Sequence, residues 1–173
     1  QRLAEIESRD QAKTFIYALL YGAGDAKLGS VVGRGRAVGK GLRQRFFDNL
    51  PAFKKLTDRV QREAKSGFVK GLDGRKLTVR SEHAALNTLL QGAGSIVMKQ
   101  ALIVLNNKIA KHGYDAKFVA NVHDEWQIEC SIDDAVDVGK LGVLALREAG
   151  CMFKLNCPLD GAYKVGENWS ETH

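Results

Sequence analysis

The chain has 173 residues, of which 45% are hydrophobic and only two are proline, which excludes a disordered or proline-rich polypeptide. No uninterrupted apolar run approaches the roughly 20 residues needed to cross a bilayer, and residues 1–5 show no signal-peptide pattern, so a soluble, cytoplasmic protein without a membrane partner is expected. The formal charge of +6 is divided unevenly: residues 1–80 hold 18 basic and 8 acidic side chains, residues 81–173 hold 8 and 12, and a basic half of that kind attracts polyanions.

Ser8 and Gln11 have the spacing of a capping box, and the apolar run Thr14 to Leu20 that follows predicts a helix closed by Gly22. Gly24, Gly29, Gly33, Gly35, Gly39 and Gly41 divide the next stretch into short helical pieces and turns. Phe46, Leu50, Phe53, Leu56 and Val60 recur every three or four residues, as in two helices interrupted near Pro51. The period changes between Gly67 and Arg80, where Asp73-Gly74 marks a hairpin turn. Ala84 to Lys111 carries a broad apolar stripe and predicts the longest helix. Two strands, Phe118–Val122 and Trp126–Cys130, are expected to flank a tip made of His123, Asp124 and Glu125. A helix from Asp133 to Ala149 and a short strand at Leu155 and Ala162–Val165 complete the reading. The fold class is α+β, divided into a basic helical part (1–66) and a part with a long helix and a small antiparallel sheet (67–173).

Three constellations carry chemistry. Arg9, Lys13, Tyr17 and Tyr21 follow one another at intervals of four, which lines them along one edge of a helix. Two cations followed by aromatic rings suit a polyphosphate with a base or sugar attached, and they suit equally an amphipathic helix with an exposed basic edge. At the hairpin tip, Asp124 offers a carboxylate to Mg²⁺, although Asp is also a common turn residue. Asn87 and Gln91, one helical turn apart, present amides that match base edges or sugars, or that simply satisfy neighbouring helices.

Other sites are excluded. Gly39-Lys40 is followed by Gly41, and position 34 is Arg, so the Walker pattern fails. His123-x-Glu125 lacks the P-C-x-x-C of zinc deaminases. Cys130, Cys151 and Cys157 form no C-x₂-C pair, which indicates neither a zinc site nor a disulfide framework and fits a reducing compartment.

Taken together, the motifs resemble those of the family A DNA polymerases. Arg9-x₃-Lys13-x₃-Tyr17-x₃-Tyr21-Gly22 is similar to the fingers-helix motif B and Val122-His123-Asp124-Glu125 to the palm motif C. His83-Ala84-Ala85-Leu86-Asn87-x₃-Gln91-Gly92 resembles the DNA-contact motif between them, and Gly166-Glu167-Asn168-Trp169…His173 the family's C-terminus. The fingers motif is closest to the T-odd bacteriophage type; bacterial polymerase I usually has Phe in place of Tyr17. The resemblance implies that residues 1–66 are part of the fingers and 67–173 the C-terminal part of the palm.

It further implies that Arg9 and Lys13 bind the triphosphate, Lys13 acting as an acid toward pyrophosphate, with Tyr17 beside the sugar and Tyr21 at the base-pair pocket. Asn87 and Gln91 would contact the duplex, His123 would lie near the primer terminus, and Asp124 and Glu125 would be catalytic carboxylates, with Asp124 the metal ligand. Two Mg²⁺ ions, primer-template DNA and deoxynucleoside triphosphates are the implied cofactors and partners, in a host cytoplasm if the gene is a phage's. The chain begins eight residues before Arg9 and includes no motif A and no thumb, so those would come from a missing N-terminal segment. This chain alone is therefore expected not to polymerise. The alternative is a non-catalytic DNA-binding module derived from a polymerase fold.

Overall fold

The computed structural model describes Ile6 and residues 8–173. The order of elements is α1 (Arg9–Leu20), α2 (Asp25–Ser30), α3 (Arg36–Asn49), α4 (Pro51–Ala64), β1 (Phe68–Lys70), β2 (Lys76–Thr78), α5 (Ala85–His112), β3 (Ala116–Val122), β4 (Glu125–Cys130), α6 (Ala135–Met152) and α7 (Trp169–Thr172). The two sheets are separate antiparallel hairpins, β1–β2 and β3–β4. Mixed helices and antiparallel sheets are the α+β class expected.

The chain forms two compact units, the first ending at Gly92 and the second running Ala93–His173. In the first, α1 starts where the Ser8 hydroxyl accepts a hydrogen bond from the Gln11 amide at 3.2 Å, one half of the capping box. Ala12, Phe15 and Leu19 face inward and join Leu28, Leu42 and Phe46 in a core. Phe46 is packed edge-on against both Phe15 and Phe53, with ring centroids 5.9 and 5.8 Å away. Leu50 closes α3 and precedes Pro51, which opens α4 at a position where no amide donor is needed.

A second cluster joins Val60 and Ala64 of α4 to Val69 of β1 and Ala85 at the start of α5. That packing ties the hairpin and the start of α5 to α4, so that the first compact unit runs to Gly92. The hairpin and the first turns of α5 bury their apolar side chains against α4. The residue-1 start of the expected division lies outside the described residues.

The second unit packs α5 and α6 against one face of β3–β4. Leu105, Ile109, Val138 and Ala145 are buried there, bordered by Phe118, Trp126 and Ile128. By length and composition the stretch Glu82–His112 is long and apolar enough to cross a membrane. Its buried residues Val97, Ala101, Leu105 and Ile109 repeat every four positions, and Lys108 is ion-paired with Glu148 at 2.7 Å, as in a core helix with one wet side.

The strand expected at residues 162–165 does not form. This segment is neither strand nor helix, and it runs against α6, where a Cβ on Gly139 would lie 2.3 Å from the Tyr163 ring and one on Gly150 would lie 3.0 Å from Leu159. Apolar residues outside regular structure need a surface to cover, and a helix serves as well as a sheet.

Candidate functional site

In the first unit, Arg9, Lys13, Tyr17 and Tyr21 are all exposed along α1 and the turn that ends it. Tyr17 and Tyr21 remain 50% and 53% exposed, and their rings stack at 6.4 Å with 19° between planes. Rings of that size normally cover core. Here they stand in solvent beside two cations, while Ala12, Phe15 and Leu19 do the packing.

The chain leaves α1 through Gly22 at φ +79°, a left-handed conformation suited to glycine. A Cβ there would lie 2.2 Å from the carbonyl oxygen of His83. The end of α1 is thus pressed against the turn leading into α5. Ser81 caps that turn by accepting from the Ala84 amide at 3.3 Å. Asn87 and Gln91 follow in the first two turns of α5, half-buried and exposed respectively. The first unit therefore unites the ends of two of the sequence motifs.

In the second unit, β3 and β4 pair from Ala116↔Cys130 to Val122↔Glu125, with a register shift at Val119. The bulge re-aims the strand end. The tip is the pair His123-Asp124, and His123 takes φ 53°, the left-handed conformation that the first position of some two-residue hairpins requires. Glu125, expected in the tip, is instead the first residue of β4. The alternation of the strand turns Glu125 and Gln127 to one face and Trp126 and Ile128 to the core.

The two carboxylates consequently have different surroundings. Asp124 is exposed and has no hydrogen-bond or ion-pair partner among the described residues. Glu125 is fully engaged: Gln127 Nε2 donates to Oε1 at 2.6 Å, Trp169 Nε1 donates to the same oxygen at 3.1 Å, and His173 Nδ1 lies 3.0 Å from Oε2. The bond from Gln127, then that from His173 and finally that from Trp169 hold the Glu125 carboxyl below the usual glutamate range, against the opposing effect of burial.

Its contribution to stability is therefore complete above the ordinary glutamate pKa of about 4.3 and is lost as pH falls through the lower folded value. We predict that the Trp169 indole N–H resonance shifts only as pH falls below the ordinary glutamate pKa of about 4.3. A midpoint above that ordinary value would contradict this.

Sequence reasoning singled out Glu125 and left Gln127, Trp169, Thr172 and His173 without roles. The Glu125-x-Gln127 alternation was a readable signal for the first of these. The others lie 44 to 48 residues along the chain from Glu125 or Gln127, beyond any local pattern. Among the described residues no group of three His, Cys, Asp or Glu side chains comes together to hold a metal ion.

The model of the family described as DNA polymerase family A matches residues 2–171. The chain belongs to DNA polymerase family A. It is 43% identical over its whole length to the DNA-directed DNA polymerase of Escherichia phage Phieco32, covering 29% of that protein. With the DNA-directed DNA polymerase of Escherichia phage T7 the identity is 42%, again over the whole chain and covering 28% of the relative. With DNA polymerase I of Aquifex aeolicus it is 34% over 95% of this chain, covering 30% of that protein. The chain thus spans under a third of the length of these relatives. In fold it is similar to the POL domain of Pol1 from M. smegmatis, solved in complex with DNA primer-template and dNTP: the TM-score is 0.75 and the identity 23%, over 82% of this chain and 27% of that one.

Proposed function

We propose that this family A segment is the fingers-and-palm C-terminal part of a DNA-directed DNA polymerase, which adds nucleotides to a primer under template direction with the help of two divalent ions, Mg²⁺ in the first place. The observation that carries this reading is the exposed edge of α1, where Arg9 and Lys13 precede the stacked, solvent-facing pair Tyr17 and Tyr21. A surface that spends two large rings on solvent suits a ligand with a planar base.

On this reading Arg9 and Lys13 hold the triphosphate of the incoming nucleotide. The Lys13 ammonium also supplies a proton to the pyrophosphate oxygen as it leaves. Tyr17 lies beside the sugar and Tyr21 against the base pair. Asn87 and Gln91 donate to acceptors that every base pair offers in the minor groove. His123 sits near the primer terminus.

Asp124 suits a hard cation: it is an exposed oxygen donor with no competing partner, and Mg²⁺ binds through one or two carboxylates while keeping waters and substrate phosphates as its other ligands. When bound, divalent ions activate the attacking oxygen and offset charge on the departing one. Glu125, both of whose oxygens are engaged, supports the tip rather than offering a free ligand. The second carboxylate of a two-ion clamp then comes from a segment beyond these residues, which would carry motif A and the thumb.

The purified 173-residue segment is accordingly expected to bind primer-template DNA with an affinity that falls steeply as salt rises, and to extend no primer. Adding the remaining part of the polymerase should restore extension. Template-dependent incorporation by the segment alone, abolished by Asp124→Asn, would overturn the expected inactivity. Intact DNA binding with no extension after complementation would favour a non-catalytic binding module instead.

A further inference from the structure

α7 has no buried residue, yet the side chains of Trp169, Glu171 and Thr172 all make hydrogen bonds. Trp169 Nε1 donates to Glu125, and the Thr172 hydroxyl lies 3.0 Å from Gln127 Oε1, while Gln127 Nε2 donates to Glu125 at 2.6 Å. The bonds run as a chain from Trp169 through Glu125 and Gln127 to Thr172, whose single hydroxyl proton is shared between Gln127 Oε1 and the Trp169 carbonyl at 3.2 Å. These two partners of Gln127 fix which end of its amide donates and which accepts.

α7 is itself braced from within its own segment. Glu171 Oε2 accepts from the Glu167 amide at 2.9 Å, and its Oε1 accepts from Asn168 Nδ2 at 2.7 Å. Lys164 Nζ donates to the His173 carbonyl at 3.1 Å. Outside residues 164–173, the hydrogen bonds of α7 go to Glu125 and Gln127, one and three residues from Asp124. A short helix with no core of its own, preshaped by an internal carboxylate and aimed at the strand behind Asp124, is built to orient something.

We propose that α7, through the Trp169 indole and the Thr172 hydroxyl, is a positioning clamp that holds the Glu125–Gln127 face of β4 and so fixes the direction of the Asp124 hairpin tip. Trp169 and Thr172 touch no reacting atom; they act through Glu125 and Gln127. The inference rests on the polymerase reading of Asp124. Displacing a catalytic group by about 1 Å costs up to roughly 100-fold in rate, whereas binding of DNA and nucleotide through the first unit is not affected by the clamp.

The test uses the full gene product in single-nucleotide primer extension. Trp169→Phe keeps the aromatic surface and loses the donor; Thr172→Val keeps the shape and loses the hydroxyl. Each is expected to lower kcat by roughly 10–100-fold with the KM for nucleotide and the affinity for primer-template little changed. Thr172→Ser, which retains the hydroxyl, should restore most of the rate. In a Glu125→Gln background, Trp169→Phe should add little, because both act on one carboxylate. A general loss of stability would move kcat and KM together and would add in the double variant, which would overturn the clamp. If Trp169→Phe fails to fold, the Thr172→Val and Thr172→Ser pair decides the question. Asp124→Asn serves as the reference: wild-type extension by that variant would sink the polymerase reading, whereas its inactivity alongside full activity of Trp169→Phe and Thr172→Val would sink the clamp alone.

Discussion

Asp124→Asn in the full gene product is expected to lower nucleotide incorporation by about a thousandfold or more while leaving the melting temperature almost unchanged. The reasoning starts from the asymmetry of the two adjacent carboxylates. Asp124 is exposed and unpartnered among the described residues, so its charge contributes to no internal bond that the amide would break. A surface substitution of that kind changes stability by no more than about 0.5 kcal/mol. Its cost falls on the chemistry, because an ion that offsets developing charge is worth several kcal/mol in the transition state, and each 1.36 kcal/mol is about tenfold in rate. Rapid-quench primer extension set beside a thermal melt separates the two quantities. Retention of wild-type incorporation would remove Asp124 from the mechanism.

Gly22→Ala is expected to have the largest effect on stability, about 2–4 kcal/mol. Two costs add at this position. The backbone is held at φ +79°, which costs a residue with a Cβ about 1–2 kcal/mol. The new methyl would also meet backbone atoms, the His83 carbonyl oxygen at 2.2 Å and its carbon at 2.9 Å, which have no rotamer by which to retreat. Gly33→Ala provides the comparison, since Gly33 has φ +68° but nothing within 4 Å of its Cβ. It should lose only the backbone share. Urea unfolding of both variants measures the difference, and equal losses would show that the contact with His83 contributes nothing. Because Tyr21 precedes Gly22 and Asn87 follows His83 by four residues, the same substitution should also weaken nucleotide and DNA binding on the proposed reading.

Elements whose signals are local were legible from the residues. Ser8, Gly22 and Pro51 act within a turn of where they stand, so the limits of α1 and the break between α3 and α4 followed from composition and spacing. The Asp73-Gly74 turn and the β3–β4 hairpin were legible for the same reason: alternation and turn chemistry are properties of a few consecutive residues. The family motifs were legible because they are short strings, and residues 2–171 match the family as a whole.

The remaining features depend on contacts between residues far apart in the chain. Whether Ala162–Val165 pairs as a strand or lies across a helix depends on which surface is left open, and Gly139 left one on α6. The extension of the first unit to Gly92 came from Val69 and Ala85 finding Val60 and Ala64, a packing choice that periodicity does not encode. By itself the sequence determined the helices, the hairpins, the +6 charge with its basic first half, and the family. Only the tertiary structure decided that Asp124 stands free while Glu125, its neighbour in sequence, is held by Gln127, Trp169 and His173. One peptide bond separates the two carboxylates, but strand alternation and a contact 44 residues away give them different partners, and partners rather than residue type set what a carboxylate can do.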